Sequence, residues 1–380
     1  MKECGGAGVP PVAPSDVILD GSSEATRDGL SDTGVQLLAP DGTMVEDSRF
    51  RVLAETGQME FFYRQMVLAR RLDEEATALQ RQGELVLWIP LRGQEAAQVG
   101  SAAAAQPQDV LFPSYREHAV VWQRGIPAVE VLRLLRGITH GGWDLNQYNV
   151  ANYVLVLASQ TLHAVGYAMG MRMDGSFAGR PSDPVVMVYL GDGAMSQGDA
   201  NEAFVWAASF TAPVVFFCQN NHWAISTPST RQSPVPLARR AEGFGFPGVR
   251  VDGNDVLAVH SVTSWALEHA RSGAGPVLIE ANTYRMAPHT TSDDATRYQP
   301  ADEVAAWRAR DPIDRLARLL SRTHPPSWFD EVRAAADLAA ADLRRACLAL
   351  PDPAPSTLLD HVLIGDSPLL REQRADIWEG

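Results

Sequence analysis

The stretch from Pro184 to Thr227 reads PVVMVYLGDGAMSQGDANEAFVWAASFTAPVVFFCQNNHWAIST and decides the fold. It contains two short apolar runs, Val185–Leu190 and Pro213–Gln219, which are rich in β-branched and aromatic residues and end in polar turns. Such runs are typical of buried parallel strands. Between them, Asp199 is placed to cap a helix that continues through Ala208. The pattern predicts a βαβ unit.

The two turns that follow these strands carry one kind of chemistry. Gly191-Asp192-Gly193 places a carboxylate on a tight bend, and Asn220-Asn221 ends the next strand with two amides. Because the carboxyl ends of parallel strands meet at one sheet edge, we expect Asp192 and Asn221 to lie close together. Oxygen donors of which only one is charged suit Mg²⁺, which completes its octahedron with water and substrate phosphates. A helix N-terminus nearby adds N–H groups for an anion, so the turns predict a magnesium–diphosphate site.

Either turn alone is more often purely structural, but the pair, GDG followed one βαβ unit later by NN, resembles the thiamine-diphosphate motif. The similarity extends from about Pro40 to about Pro312 and is to the α subunit of the E1 component of 2-oxoacid dehydrogenases. The stretches that carry it are RQGELVLWIPLRGQEAAQVGSAAA (Arg81–Ala104), FPSYREHAV (Phe112–Val120), TLHAVGYAMG (Thr161–Gly170), and VDGNDVLAV with YRMAPHTTSDD (within Val251–Asp294).

The pattern of elements predicts an α/β fold with a doubly wound, mostly parallel sheet flanked by helices. The resemblance makes this a thiamine-diphosphate-binding fold, with one domain of the diphosphate type. We expect a flexible N-terminal arm at 1–45, the α/β domain at 46–312 and a helical C-terminal extension at 313–380. Val154–Ala158 reads as an apolar, strand-like run, followed by a helix from Thr161 to Met173. Gly166 and Gly170 share one face of that helix, which predicts a close helix contact at a subunit boundary.

The resemblance implies an activity and two partners. The activity is thiamine-diphosphate- and Mg²⁺-dependent oxidative decarboxylation of a 2-oxoacid, with reductive acylation of a lipoyl group on an E2 acyltransferase. In this family the glutamate that activates the cofactor's aminopyrimidine belongs to a β subunit. We therefore expect an α₂β₂ heterotetramer whose active site is shared between the chains.

The resemblance also assigns roles to individual residues. Asp192, Asn221 and the backbone carbonyl of Trp223 are the expected metal ligands, and Tyr115 and Arg116 are the expected diphosphate contacts. Arginine suits a diphosphate because its planar fork binds two oxygens together. The full expected cofactor-binding set is Tyr115, Arg116, Leu157, Gly191, Asp192, Gly193, Ala194, Asn221 and His289.

Two histidines are candidate catalytic residues. His289 matches the histidine that the family places beside the thiazolium ring, where an imidazole titrating near neutrality would protonate or orient the 2-oxoacid. His118 matches the histidine of the YRxH step in pyruvate-type members. The alternative reading of His118 is a helix-surface histidine, and both readings stay open at this point.

Three departures from the family pattern leave the function partly open. Gln219 stands where branched-chain relatives have an arginine that contacts the diphosphate, His222 follows the Asn-Asn pair, and the loop Gly137–Asn149, with His140, differs from the usual sequence. The alternatives are an acetoin-type α subunit and a non-catalytic subunit that binds E1β. Between substrates, His118 favours pyruvate while the Pro288–Asp294 loop favours a branched-chain 2-oxoacid such as 3-methyl-2-oxobutanoate, which we prefer slightly.

Composition excludes other classes of protein. The net charge of −14 disfavours nucleic-acid binding, because a phosphate backbone would be repelled. No run of eighteen apolar residues occurs, so we expect no membrane span. The first residues lack the basic start and apolar core of a secretory signal, so we expect a cytoplasmic protein.

Overall fold

A computed structural model of the chain describes residues 34–139, 142–360 and 362–379. The strands are β1 (Val110–Phe112), β2 (Val186–Gly191), β3 (Val214–Asn220), β4 (Trp223–Ala224), β5 (Thr227–Pro228), β6 (Gly248–Asp252) and β7 (Val277–Asn282). The helices are α1 (Thr56–Arg81), α2 (Glu95–Ala104), α3 (His118–Gln123), α4 (Ala128–Leu135), α5 (Leu145–Tyr148), α6 (Ser159–Met173), α7 (Gly198–Ser209), α8 (Ser229–Gln232), α9 (Arg240–Gly243), α10 (Val256–Arg271), α11 (Ala301–Arg308), α12 (Pro312–Leu320), α13 (Pro326–Leu348) and α14 (Pro368–Glu379). None of the helices within these described ranges is long and apolar enough to cross a bilayer.

Five strands form one parallel sheet in the order β1-β2-β3-β7-β6. The two predicted strands are β2 and β3, with Gly191 of β2 opposite Gln219 of β3 at their carboxyl ends. Strands β1, β2 and β3 are added one after another towards the centre of the sheet. The chain then crosses to the far edge to form β6 and adds β7 in the opposite direction, between β6 and β3. The direction therefore reverses between β3 and β7, and open α/β sheets bind ligands at such a point.

Both faces of the sheet are buried, as the continuous apolar runs predict. Alternate residues of a strand point to opposite faces. Met187 and Tyr189 belong to the hydrophobic core beneath α1, α2 and α10. Val186 and Val188 belong to a second core beneath α6 and α7. The expected doubly wound sheet flanked by helices is confirmed.

Two local expectations about this region are wrong. The helix after β2 begins at Gly198, with Gln197 at its N-cap, so Asp199 lies inside the first turn and does not cap it. There the carboxylate is still favoured by the helix dipole. The run Val154–Ala158 forms no strand, because it lies in a loop that leaves Leu155 and Val156 each 69% exposed. The helix that follows it, α6, begins at Ser159.

Part of the expected flexible arm is packed against the sheet. Val35 pairs with Val251 of β6 in a parallel bridge. The N–H groups of Leu37 and Leu38 donate to the buried carboxylate of Asp255 at 2.7 and 2.6 Å. Val35 is therefore held at the edge of the sheet by one bridge to β6, and Leu37 and Leu38 are held by Asp255, contrary to a flexible arm that reaches residue 45. Residues 1–33 lie outside the described residues.

The C-terminal helices share the main core. Tyr63 of α1 contacts Trp328 and Phe329 of α13, with ring centroids 5.4 and 5.3 Å apart. Leu343 and Cys347 of α13 are buried in the same hydrophobic cluster as α1. The helical character of this region agrees with expectation, and the division at residue 312 stays a prediction.

A buried ion pair joins the start of the sheet to the end of α10. Arg271 donates two hydrogen bonds to Asp109, at 2.9 and 2.8 Å, and both side chains are almost completely buried. Asp109 also accepts from the backbone N–H of Val185, immediately before β2. Asp109 thus fixes three segments that are distant in sequence.

We expect Asp109→Ala to lower the free energy of unfolding by about 3–5 kcal/mol, because it removes the hydrogen-bonded carboxylate from the buried charge of Arg271 and leaves only the longer contact with Glu268 at 3.8 Å. Denaturant unfolding of the purified chain measures this. The matched control is Arg333→Ala, which removes an exposed pair with Asp330 and is expected to cost less than about 1 kcal/mol. Equal effects of the two variants would contradict the role given to the buried pair.

Candidate active site

A cleft of about 760 Å³ opens at the carboxyl edge of the sheet, where the chain direction reverses. Its walls are the turns after β2 and β3, the segment before α3, the loop before α6, α8 and the loop after β7. Of the residues that the sequence predicts for the site, the following line this cleft: Tyr115, Arg116, Leu157, Gly191, Asp192, Gly193, Ala194, Asn221, Trp223 and His289. The structure therefore brings together residues from five separate segments.

Asp192 lies on the bend after β2 and is 2% exposed. Its Oδ2 accepts a hydrogen bond from Nε2 of Gln232 at 3.0 Å. Burial raises the pKa of Asp192, while that hydrogen bond and the charge of Arg285 act in the opposite direction. The bend is close-packed, because a Cβ on Gly193 would lie 2.8 Å from Cβ of Ala224. Glycine at this position lets the loop after β3 approach the bend.

Asn221 and Trp223 supply two further oxygens from the turn after β3. Nδ2 of Asn221 donates to Oε1 of Gln94 at 3.2 Å, and its Oδ1 accepts from the backbone N–H of Trp223. The carbonyl oxygen of Trp223 accepts from Nη1 of Arg285 at 2.9 Å. A carbonyl oxygen has two lone pairs, so this bond leaves one free.

Arg116 is buried and is directed at the loop after β7. One Nη donates to the carbonyl of Pro90, and the other donates to the carbonyl of His289 at 3.0 Å and to its Nδ1 at 3.1 Å. A guanidinium has five N–H donors, so Nε–H and one Nη–H remain for an anion. The position agrees with the expected diphosphate contact.

His289 is half-buried and faces two guanidinium groups. Burial, together with the charges of Arg116 and Arg285, lowers the pKa of His289 to about 3. Its expected titration near neutrality is therefore wrong for this environment. Because Arg116 only donates, Nδ1 of the neutral ring is the acceptor and Nε2 carries the proton. His289 thus presents a neutral N–H donor.

Arg285 is the main site residue that sequence reasoning missed. It is fully buried and donates to the carbonyls of Trp223 and Ile225 and to the hydroxyl of Tyr298, the last two at 2.7 and 2.8 Å. It joins the loop after β3 to the loop after β7. The available signal was an arginine placed directly after the apolar strand β7, at the start of a polar loop.

His118 does not lie in the cleft. Its buried ring stacks on Trp88 at 4.3 Å, Nδ1 bonds to the hydroxyl of Tyr153 at 2.8 Å, and Nε2 bonds to the carbonyl of Ile89 at 2.9 Å. Burial lowers the pKa of His118 to about 3, so the ring is neutral. Both nitrogens are engaged within the protein, so the alternative of a surface histidine is wrong, and the catalytic role of His118 stays a prediction. His118 instead supports Ile89, which lines the cleft.

The structure shows where the three departures from the family pattern lie: Gln219, His222 and the loop 137–149. Gln219 donates to Oε1 of the buried Glu117 at 2.6 Å, so no cation lies at this strand end. His222 has φ +72°, packs against Trp307 and bonds to Asn282 at 2.8 Å. None of the described residues of the loop 137–149 lines the cleft, and His140 lies outside the described residues.

Three buried glutamines that line the cleft each have one amide atom without a partner among the described residues: Nε2 of Gln94, Oε1 of Gln160 and Oε1 of Gln219. Buried polar atoms are almost always hydrogen-bonded to protein, ligand or water. These atoms therefore fit a cleft that holds a polar ligand. Sequence reasoning noted Gln219 only as a departure from the family pattern and gave Gln94 and Gln160 no role, because a glutamine carries no charge or spacing signal.

The fold and the cleft define an α/β protein that gathers oxygen donors and arginines at the edge of a parallel sheet. The family model described as "Dehydrogenase E1 component" matches residues 63–332, so the chain belongs to this family. It is the α subunit of a 2-oxoacid dehydrogenase, an oxidoreductase, as expected from the sequence.

Curated relatives agree with this placement. The chain is 44% identical over 349 residues to the "3-methyl-2-oxobutanoate dehydrogenase subunit alpha" of Mycobacterium tuberculosis, covering 90% of this chain and 93% of that protein. It is 38% identical over 288 residues to the "Pyruvate dehydrogenase E1 component subunit alpha" of Staphylococcus aureus, covering 75% of this chain and 76% of that protein. A Staphylococcus epidermidis protein of the same name is 37% identical over 288 residues, with the same two coverages.

The two arginines beside His289 lead to a prediction about the pKa of its ring. Like charges disfavour the protonated ring, so removing one of them raises its pKa. We expect Arg116→Met to move the pKa of His289 from about 3 towards the ordinary value of 6.5. NMR of ring-labelled histidine measures the titration, and the spectrum of His289→Asn identifies the resonance. Arg308→Met, which removes an exposed arginine of α11, is the control and should change nothing. A wild-type His289 that titrates between pH 6 and 7 would contradict the assignment.

Proposed function

We propose that the chain acts with a β subunit to decarboxylate a branched-chain 2-oxoacid oxidatively, such as 3-methyl-2-oxobutanoate, using thiamine diphosphate and Mg²⁺. Enzymes of the dehydrogenase E1 family depend on thiamine diphosphate in general. The observation that carries the proposal is the common cleft that holds Asp192, Asn221, Trp223, Arg116 and His289. The acyl group would pass to a lipoylated E2 acyltransferase, and we place the complex in the cytoplasm.

The donor set fits a magnesium ion. Asp192 provides one carboxylate, Asn221 an amide oxygen and Trp223 a carbonyl with a free lone pair. One charge and three oxygens leave half of an octahedron for water and phosphate oxygens, which is how Mg²⁺ is usually held. The described residues contain no cluster of three His, Cys, Asp or Glu side chains that would hold a metal. That finding does not conflict with a set in which only Asp192 is of those types.

The diphosphate is assigned to Tyr115 and Arg116. Arg116 retains two N–H donors beyond its bonds to Pro90 and His289, and burial strengthens its interaction with an anion. Gln219 is uncharged and so gives no cationic contact to the diphosphate. Its N–H group is bound to Glu117. Arg116 therefore neutralises the negative charge of the diphosphate without help from a second arginine at position 219.

Thiamine diphosphate supplies the carbanion chemistry of decarboxylation when it is bound. The part of this chain is to anchor the cofactor and to orient the 2-oxoacid. The neutral imidazole of His289 is suited to donate its Nε2–H to an oxygen of the substrate. Arg116 and Arg285 keep that ring neutral and give the cleft a positive field that attracts the substrate carboxylate.

The apolar lining favours a branched substrate over pyruvate. Leu155, Leu157 and Ile225 line the cleft and are exposed, so they offer apolar surface to an aliphatic side chain. A buried methylene contributes about 1–3 kcal/mol of discrimination in such a pocket. His118, the residue that favoured pyruvate, is not among the residues that line the cleft. The greater similarity to the M. tuberculosis protein than to the pyruvate dehydrogenase subunits supports the same choice.

The substrate is tested by co-expressing the chain with its β subunit and measuring 2-oxoacid-dependent reduction of an artificial acceptor. With thiamine diphosphate and Mg²⁺ present, we expect kcat/KM for 3-methyl-2-oxobutanoate to exceed that for pyruvate by about 10-fold or more, because the apolar lining rewards the larger side chain.

The other outcomes of this assay are informative. A preference for pyruvate would overturn the substrate. Cofactor binding without turnover of either acid would indicate acetoin-type chemistry. Failure to bind the cofactor at all would favour the non-catalytic subunit and overturn the proposed function.

The exposed face of α6 and α7 supports the proposed β-subunit contact. The two helices pack together, and each exposes apolar side chains. We call this the α6–α7 face; its residues are Gly166, Tyr167, Gly170, Met173, Val205, Trp206 and Phe210. A Cβ on Gly166 or Gly170 would meet no atom of the described residues within 4 Å, so both glycines leave room for another helix. Exposed apolar groups of this extent usually mark an interaction site.

We expect Tyr167→Asp to weaken assembly with the β subunit, because it places a charge in an apolar interface. Size-exclusion chromatography with light scattering measures the ratio of α₂β₂ to free chains. The control is Leu338→Asp, which adds the same charge to an exposed apolar position on α13. Loss of assembly in both variants, or in neither, would contradict an interface at the α6–α7 face.

A further inference from the structure

Two glutamines from outside the GDG and NN turns contact the two side chains expected to bind the metal. Gln94 lies just before α2 and accepts from Nδ2 of Asn221 at 3.2 Å. Gln232 ends α8 and donates to Oδ2 of Asp192 at 3.0 Å. Both glutamines line the cleft. One acts as an acceptor and the other as a donor, and this difference makes their roles testable.

The contact with Gln94 decides which end of the Asn221 amide is available. An asparagine amide presents either an oxygen or an NH₂ group, and a hard cation binds only the oxygen. Because Nδ2 is held by Oε1 of Gln94, the NH₂ group points away from the metal position and Oδ1 is left for it. Reversal of the Asn221 amide would place its Oδ1 against Oε1 of Gln94, two acceptors without a proton, and its NH₂ group against the backbone N–H of Trp223.

The backbone of Gln94 is itself held firmly. Glu95 accepts from the N–H of Gly93 at 2.9 Å and pairs with Arg70 at 2.8 Å. Thr283, just after β7, donates to the carbonyl of Gly93 at 2.8 Å. Gly93 has φ +97°, and a Cβ there would collide with the carbonyl of Tyr284, so only glycine fits. Gln94 is therefore presented to Asn221 from a rigid loop.

The contact with Gln232 orients the carboxylate of Asp192. Ser196 donates its hydroxyl to Oε1 of Gln232 at 3.2 Å, which leaves Nε2 of Gln232 to face Asp192. With Oδ2 held in this way, Oδ1 has a defined direction. Partners that orient metal ligands typically change metal affinity by about 10- to 100-fold when they are removed.

We propose that Gln94 and Gln232 are positioning residues that aim the oxygens of Asn221 and Asp192 at the divalent cation, Gln94 as an acceptor and Gln232 as a donor. This inference rests on the proposed magnesium–diphosphate site. Neither residue belongs to the GDG or NN turn, and they reach the site from α8 and from the segment before α2.

The test measures Mn²⁺ binding to the full-length α–β complex in the presence of thiamine diphosphate, by the electron paramagnetic resonance signal of free Mn²⁺. Gln94→Met and Gln232→Met keep the side-chain length but remove the polar group. We expect each to raise the Kd for Mn²⁺ by about 10- to 100-fold. Gln373→Met, at an exposed glutamine of α14 that does not line the cleft, is the matched control and should leave the Kd unchanged.

Glutamate substitutions separate positioning from simple packing. Gln94→Glu keeps an acceptor for Asn221, so it should retain the wild-type Kd or bind Mn²⁺ more tightly. Gln232→Glu loses the donor and places a second carboxylate beside Asp192, so it should not restore binding. Ser196→Ala, which frees the Gln232 amide to turn, should give a smaller loss than Gln232→Met.

Each outcome decides between the claims. Wild-type complex that binds no Mn²⁺ would overturn the proposed function and the inference with it. Wild-type binding with unchanged Kd values in both methionine variants would overturn the inference alone, as would restored binding in Gln232→Glu. If Gln94→Met does not fold, Gln94→Glu and the two Gln232 variants still decide, because Gln232 lies in a short, partly exposed helix.

Discussion

The buried guanidinium of Arg285 is the interaction on which the shape of the cleft depends. A fully buried charge must be surrounded by hydrogen-bond partners, and here these are backbone carbonyls of one loop and a tyrosine hydroxyl of another. The loop after β3 directs its carbonyl groups at this guanidinium, and within it Ile225 has φ +52°, which is rare for a β-branched residue. The strain is of order 1–3 kcal/mol and persists because the surrounding bonds determine the loop.

The same guanidinium sets the electrostatics of the cleft. In a chain of net charge −14, the cleft has the buried Arg116 and Arg285 beside Asp192 at the expected metal position, while the other buried carboxylate of its lining, Glu117, accepts from Ser114 and Gln219. The overall charge and the local field therefore have opposite signs. A cleft of this kind selects small anions while the surface repels large polyanions. His289 responds to the local field and remains neutral.

Sequence reasoning located the parts of the site that follow from strand patterns. Strands β2 and β3 are short runs of β-branched and aromatic residues, each followed by a polar turn. A single sequence is enough to recognise this pattern. The family resemblance added Tyr115, Arg116 and His289, which all line the cleft. The roles of Arg285, Gln94 and Gln232 were missed, because each depends on a contact with a residue at least 40 positions away. The burial of His118 was not foreseen, because a motif does not reveal whether a ring is buried.

His222 illustrates how a departure from the family pattern depends on its neighbours. Its backbone lies in the left-handed region that glycine adopts most readily, between two expected metal ligands. The imidazole is accommodated by Trp307 on α11 and by the amide of Asn282, at the end of β7. These contacts offset the conformational cost, so the histidine is tolerable only in a background that already contains them. The backbone between two expected metal ligands therefore depends on α11, so a change at Trp307, which does not line the cleft, would be transmitted to the site.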